Sequence, residues 1–194
     1  MNNGIIQIIG ISGSGKSTIA KASAQDLGIK FIDFADLIVT SANILGGNSN
    51  SHDDIINYSP SFLTDSVNLA RTSLAKITTS ELLIVETHLA PRIMNLWYTF
   101  TTPQVIKERN TLGIVVIADD LKEINLKKHD RLAKRDSENT SYEILKEMQE
   151  INIQAAIVCC VVLGIPLQII WNKYNHLESS VTQLNEFIKN NIKC

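Results

Sequence analysis

Cysteine is scarce in this chain: three of 194 residues, Cys159, Cys160 and Cys194. An odd count without metal-ligand or redox spacing excludes a closed disulfide framework and points to a reducing, cytoplasmic compartment. Cys159 and Cys160 lie in an apolar run and are expected to pack as small hydrophobes. Net charge is also nearly absent, since 18 Lys and Arg against 20 Asp and Glu leave −2. That excludes the basic excess of a broad nucleic-acid or anionic-membrane surface. No basic leader precedes the first apolar run, which stops at a glycine loop, so no signal peptide is expected. The longest apolar stretch, residues 151–171, contains Asn152, Gln154 and Gln168 and is broken by Gly164 and Pro166. A buried helix ending at Gly164, then a core strand, is expected there rather than a membrane span. Repeats and low-complexity linkers are missing too. With 44% hydrophobic and 20% charged residues, the chain suits one domain, residues 1–194, that buries its core without staples.

What is present begins with Gly10-Ile11-Ser12-Gly13-Ser14-Gly15-Lys16-Ser17-Thr18. Two glycines five residues apart, followed by Lys and Ser, fit the phosphate-binding loop pattern. Glycines let successive backbone N–H groups point inward at a polyphosphate, and a helix starting near Gly15 adds the positive end of its dipole. Lys16 is expected to reach the β/γ-phosphates and Ser17 to offer its hydroxyl to Mg²⁺. The context agrees, with an apolar strand before the loop and a helix after it.

Five short apolar runs read as strands: Gly4–Ile9, Ile29–Asp33, Leu82–Glu86, Gly113–Ala118 and Leu167–Trp171. Helical patterns fall at Ser17–Leu27, Ala35–Leu45, Pro60–Ile77, Pro103–Arg109, Leu121–Ala133, Tyr142–Leu163 and Leu177–Ile192. This alternation predicts an α/β, three-layer fold with a five-stranded parallel sheet and helices on both faces. Ligands then bind at the carboxyl ends of the strands, beside the glycine loop. The segments Gly46–Ser51 and Thr99–Thr102 read as loops, either surface loops or hinges of mobile segments at about residues 35–78 and 124–140.

Strand ends supply the remaining candidates. Asp33 and Asp36 follow the second strand and either accept hydrogen bonds from a second substrate or cap the next helix; Asp36 is favoured for the substrate role. Glu86 ends the third strand, where an acid can hold a water of the Mg²⁺ shell. His88 either contacts a phosphate or acts as a structural donor. Lys127, Lys128, His129, Arg131, Lys134 and Arg135 form the most basic segment. It reads as a lid over a triphosphate or as a solvated helix face, with Arg131 and Arg135 best suited to grip phosphate oxygens.

Together these residues resemble the archaeal-type adenylate kinases, P-loop nucleoside monophosphate kinases, over nearly the whole chain. The glycine loop with Lys16-Ser17-Thr18 matches. Glu86-Thr87-His88 is similar to that family's Asp-Thr-His, with Arg92 at the basic position four further on. Lys134-Arg135-Asp136 resembles its Arg-rich lid. Residues 153–164 and the strand ending at Asn172 resemble its Ala-rich helix and last strand, and Asp36 falls where some relatives carry Gly-Asp. The resemblance implies ATP with Mg²⁺ as donor, a nucleoside monophosphate, AMP first, as acceptor, and often a homotrimer. On this reading Arg92 and Asp36 face the acceptor, with Arg71 and His88 as further substrate contacts, Arg131 and Arg135 close the lid, and Lys16, Arg92, Arg131 and Arg135 are the expected catalytic residues. Departures fall on the acceptor side. Family arginines appear as His52, Ile56 and Ile153, and the segment after Arg92 is replaced by residues 96–102. Gly28–Asp33 is also similar to small-metabolite kinases such as shikimate kinase. The missing arginines leave a third reading, a nucleotide-binding protein with little transferase activity.

Overall fold

The computed structural model describes residues 3–55, 57–77, 81–89, 92–93, 96–97, 102–119, 121, 142–173 and 176–192. Its centre is a five-stranded parallel sheet in the order β2-β3-β1-β6-β7, formed by β1 (Gly4–Ile9), β2 (Lys30–Asp33), β3 (Leu82–Thr87), β6 (Thr111–Asp119) and β7 (Leu167–Asn172). β1, in the middle, is buried along its whole length, as a near-continuous isoleucine run requires when both sheet faces are covered.

Side chains alternate across the sheet. Ile6, Ile8, Ile84, Val115 and Ile117 face α1 (Lys16–Leu27) and the last helix, α7 (Leu177–Ile192), through Ile19, Leu184 and Ile188. On the opposite face, Ile5, Leu83 and Val85 meet α2 (Phe34–Ile44) and α4 (Pro60–Ile77), while Ile9, Ile114 and Val116 meet α5 (Pro103–Glu108) and α6 (Tyr142–Leu163). The three-layer α/β architecture follows directly from this two-sided burial.

Most elements fall where the apolar pattern puts them; β1, α4, α6 and α7 have the expected bounds. Two features differ. A two-stranded antiparallel hairpin, β4 (Arg92–Ile93) with β5 (Leu96–Trp97), follows β3, and a single helical turn, α3 (His52–Ile55), precedes α4. Elements this short carry no readable period. The Gly46–Ser51 segment is a loop, as expected, and carries side-chain hydrogen bonds of its own. Asn43 holds Ser49 through both its amide atoms, at 2.7 and 2.8 Å, and the Tyr58 hydroxyl takes the Asn48 N–H at 2.9 Å. The expected helix at 121–133, the segment at 124–140, Arg131, Arg135 and Cys194 lie outside the described residues, Leu121 apart.

The stretch 151–171 resolves as a helix closed by Gly164 at φ 66°, then β7. Among the described residues no helix is long and apolar enough to cross a membrane. One side of α6 buries Ala156, Cys159 and Cys160, while Val158, Val161 and Val162 form an exposed apolar stripe.

Candidate active site

The glycine loop bridges β1 and α1 at the carboxyl edge of the sheet. Gly13 and Gly15 hold φ of 91° and 84°, the left-handed values at which L side chains are strained. Gly15 is the N-cap of α1, and among the described residues no side chain caps that helix, the arrangement that suits an anion at its N-terminus. Ser14 is fully buried and turns its N–H and its Oγ onto the Ile11 carbonyl, at 3.3 and 3.0 Å. Asn172, at the end of β7, donates from Nδ2 to the Ser14 carbonyl at 2.8 Å and accepts from Ser180 Oγ at 3.3 Å. The loop is thereby pinned from a strand 158 residues away in sequence.

Glu86 joins the loop from β3. Its Oε1 accepts from Ser17 Oγ at 2.8 Å and pairs with Lys16 Nζ at 3.1 Å. Lys16 and Glu86 are 6% and 5% exposed, so the pair is nearly desolvated. Glu86 Oε2 is buried with no hydrogen-bond partner among the described residues. An unengaged carboxylate oxygen beside a serine hydroxyl is hard-oxygen chemistry that fits a hydrated Mg²⁺. Lys16, Ser17 and Glu86, three of the sequence candidates, are thus brought to one point.

His88 follows β3 and its ring hydrogen-bonds the Gly10 backbone. Burial, then the nearby Lys16 charge, push its pKa from 6.5 down to about 3. A neutral ring tied to the loop backbone is a structural donor in this state, one of its two expected roles.

On the acceptor side, Asp33 caps α2 by accepting from the Ala35 N–H at 2.9 Å. Burial and the Glu86 charge raise its pKa. Asp36, in the first turn of α2, is exposed and pairs with His52 Nε2 at 2.7 Å. Ligand atoms of Asp33, Asp36 and His52 lie within 4.8 Å of one another. Arg71 lies on α4 and donates to Asn68 Oδ1 at 3.0 Å. Arg92 is placed on β4 by its backbone.

A cavity of about 700 Å³ opens beside the loop, lined by Asp119, Tyr142, Gln149, Trp171, Asn172 and His176 among others. Gln149 clamps the end of β6 with both amide atoms, accepting from Asp119 N–H at 3.1 Å and donating to Asp119 O at 3.2 Å. Sequence reading did not find Asn172 as a loop anchor, nor Gln149. Both act across long sequence separations, and a polar residue at a strand end or inside an apolar helix is the only local sign.

A parallel sheet carrying a left-handed glycine loop, with a lysine, a serine and an acid converging on it, defines the P-loop phosphotransferases. The chain belongs to the AAA domain family (AAA_17), which matches residues 9–146. It is a P-loop kinase of that family. It is 23% identical over 186 residues to an adenylate kinase of Methanothermobacter thermautotrophicus, covering 95% of this chain and 99% of that one. Over 187 residues it is 27% identical to an adenylate kinase of Pyrococcus abyssi, covering 95% and 94%. Among solved structures, a shikimate kinase from Acinetobacter baumannii in complex with shikimate superposes with a TM-score of 0.62 at 16% identity, covering 97% of this chain and 95% of that one. A shikimate kinase from Bacteroides thetaiotaomicron gives 0.54 at 18%, covering 97% and 99%.

Proposed function

We propose that this protein transfers the γ-phosphoryl group of ATP to a nucleoside monophosphate, AMP first, giving two nucleoside diphosphates. The observation that carries the reading is the convergence of Lys16, Ser17 and Glu86 on an uncapped, left-handed glycine loop, in a chain similar over nearly its full length to adenylate kinases. In this reading the loop from Gly10 to Thr18 cradles the donor phosphates with its remaining amides, while the Ser14 N–H stays on the Ile11 carbonyl. Lys16 leaves Glu86 for the β/γ-phosphate oxygens. Ser17 and Glu86 hold the Mg²⁺ shell, and that ion when bound neutralises charge between donor phosphates. The cavity beside Asn172 takes the donor base, with Trp171 and Tyr142 as apolar surface and Gln149 and Asp119 as polar groups.

Transfer needs little covalent chemistry from the protein. Alignment of donor and acceptor, charge neutralisation and exclusion of water supply the acceleration. Arg92, Arg131 and Arg135 are assigned to charge neutralisation, the last two from a lid. Asp36, His88 and Arg71 are assigned to the acceptor side, His88 acting through the loop backbone. The exposed valine stripe of α6 is where a homo-oligomer would be built.

A second reading, phosphorylation of a hydroxylated small metabolite, is favoured by the structural likeness to shikimate kinases and by Asp33 and Asp36 after β2. A panel of nucleoside monophosphates and hydroxylated acids, scored for ATP-dependent product with Lys16→Ala as control, separates the two. Diphosphate formed from a monophosphate supports the first reading. Product only from a hydroxylated acid replaces it with the second, and none from any acceptor rejects both.

A further inference from the structure

The carboxyl end of β2 gathers three side chains that the donor loop does not use. Asp33 is the last residue of β2, Asp36 lies in the first turn of α2, and His52 opens α3. One ligand atom from each, a carboxylate oxygen or a ring nitrogen, lies within 4.8 Å of the other two. Two ligand atoms held by one ion through bonds of about 2.0–2.2 Å stand roughly 3–4 Å apart, so small side-chain rotations close the set. An ion has room to enter, because the side chains of His52 and Asp36 are 46% and 73% exposed. Asp33 Oδ1 accepts from the Ala35 N–H at 2.9 Å, which fixes the carboxylate and leaves Oδ2 to bind.

A second, independent feature points to a cation here. Asp33 and Glu86 are partners in the β2–β3 register, on strands about 4.8 Å apart. Asp33 alternates with Phe31 and Glu86 with Ile84, so both carboxylates stand on the α1 face of the sheet. Glu86 is only 5% exposed, and its Oε2 is buried with no hydrogen-bond partner among the described residues. Its Oε1 is turned to Lys16 and Ser17. Next to burial, the Glu86 charge is the main cause of the raised Asp33 pKa, so the orphan oxygen looks onto the cluster. Three carboxylates therefore meet at this strand edge. Lys16 answers Glu86, whereas among the described residues no lysine or arginine pairs with Asp33 or Asp36. Like charges gathered in this way disfavour one another until a cation joins them.

We propose that Asp33, Asp36 and His52 bind a divalent transition-metal ion of the zinc class, distinct from the Mg²⁺ that accompanies ATP, with Glu86 holding a water of its shell. One imidazole nitrogen with two carboxylate oxygens suits Zn²⁺, Co²⁺ or Mn²⁺ and disfavours Mg²⁺, which prefers oxygen ligands alone. Three protein ligands leave at least one coordination position open. His52 Nε2, which meets Asp36 Oδ1 at 2.7 Å, gives its lone pair to the ion, and the neutral ring then carries its proton on Nδ1. The ion straps α3 to the corner between β2 and α2. A carboxylate offers about four lone-pair sites, so Glu86 serves the shell of the donor ion and of this one together. That an acceptor oxygen fills the open position rests on the kinase reading above, whereas ion binding is measured without nucleotide or acceptor.

The test titrates the metal-free full chain calorimetrically with Zn²⁺ and with Co²⁺, in the absence of nucleotide, beside the variants His52→Gln, Asp36→Asn and Glu86→Gln. One ion per chain is expected. His52→Gln and Asp36→Asn should each weaken it about 100-fold or more, and Glu86→Gln, which acts through water, about 10-fold. Mg²⁺ in about a thousandfold excess should leave most of the Zn²⁺ in place. Bound Co²⁺ should show no thiolate charge-transfer band. Affinity of His52→Gln for ATP with Mg²⁺ should stay within about twofold of the parent, since His52 does not touch the donor loop. Equal ion affinity in the parent, His52→Gln and Asp36→Asn would overturn the site, as would no heat of binding for either ion. A thiolate band, or ready displacement by Mg²⁺, would overturn it too. Ion binding that is lost in His52→Gln, with no acceptor phosphorylated by ATP, would uphold the site and reject the kinase reading. A phosphorylated acceptor with no ion bound would do the reverse. If one of the two exposed ligand variants does not fold, the other decides.

Discussion

Glu86→Gln separates the two tasks assigned to one carboxylate. The amide keeps the shape and still offers one oxygen to Ser17 Oγ, now at 2.8 Å, and to Lys16 Nζ, at 3.1 Å. What it removes is the charge opposite an ammonium that is 6% exposed. Breaking a buried pair from one side costs about 3–5 kcal/mol. Retained hydrogen bonding places this case near the lower end. For a chain of this size about 3 kcal/mol lowers Tm by roughly 6–12 °C, readable by calorimetry. Nucleotide binding should move the other way. In the parent protein the donor phosphates compete with Glu86 for Lys16; in the variant they meet an ammonium with no anionic partner. Affinity for ATP in the presence of a chelator should therefore rise, by about tenfold. Turnover with Mg²⁺ should fall about 100-fold or more, the scale for losing one preorganised electrostatic group at a transfer site. A variant with parental Tm and parental turnover would refute the assignment of Glu86 to both Lys16 and the metal shell.

Asn172→Ala removes the 2.8 Å tie to the Ser14 carbonyl. One buried hydrogen bond lost from a preformed loop, about 1–2 kcal/mol, should raise the ATP dissociation constant about 5–30-fold; an unchanged constant in calorimetric titration would show that the loop holds itself. Gly15→Ala forces a side chain onto φ 84° and toward the Asn172 amide, so ATP binding should be lost while the far-ultraviolet spectrum is kept; retained binding would contradict the nest geometry. His88 supplies a pH signature. It is neutral in the folded protein down to about 3, while the unfolded ring takes a proton below about 6.5. The unfolded state thus binds more protons between these values. Stability is complete above 6.5 and falls as the pH drops, by about 3 kcal/mol at pH 4. Urea midpoints measured across that window should show this slope, and His88→Gln should flatten it; equal slopes would refute it.

The sheet was legible because its chemistry is local. Isoleucine and valine runs bounded by glycine or proline mark β1, β6 and β7, and Gly164 marks the end of α6. Pro60 and Pro103 mark where α4 and α5 begin. The loop and its lysine were legible for the same reason, as nine adjacent residues. Glu86 was singled out because the ends of parallel strands meet at one edge, and in the structure its oxygen meets both Lys16 and Ser17. What sequence could not show is who partners whom. Asp33 and Asp36 shared the same two roles on paper, with Asp36 favoured for substrate; in the fold Asp33 caps α2 and Asp36 pairs with His52 from α3, a turn too short to carry a period. Asn172 meets Ser14 only because β7 and the loop share an edge.

The account stands on the grip of residues 10–18 on a triphosphate. Titrating the protein with ATP and Mg²⁺ while following hydrogen exchange at the amides of Gly13 to Thr18, in parent and Lys16→Ala chains, tests it most directly. Strong protection in the parent, with an ATP dissociation constant at least about 30-fold weaker in Lys16→Ala, is the predicted result. Unaltered exchange at those amides, or equal affinity in the two chains, would contradict it.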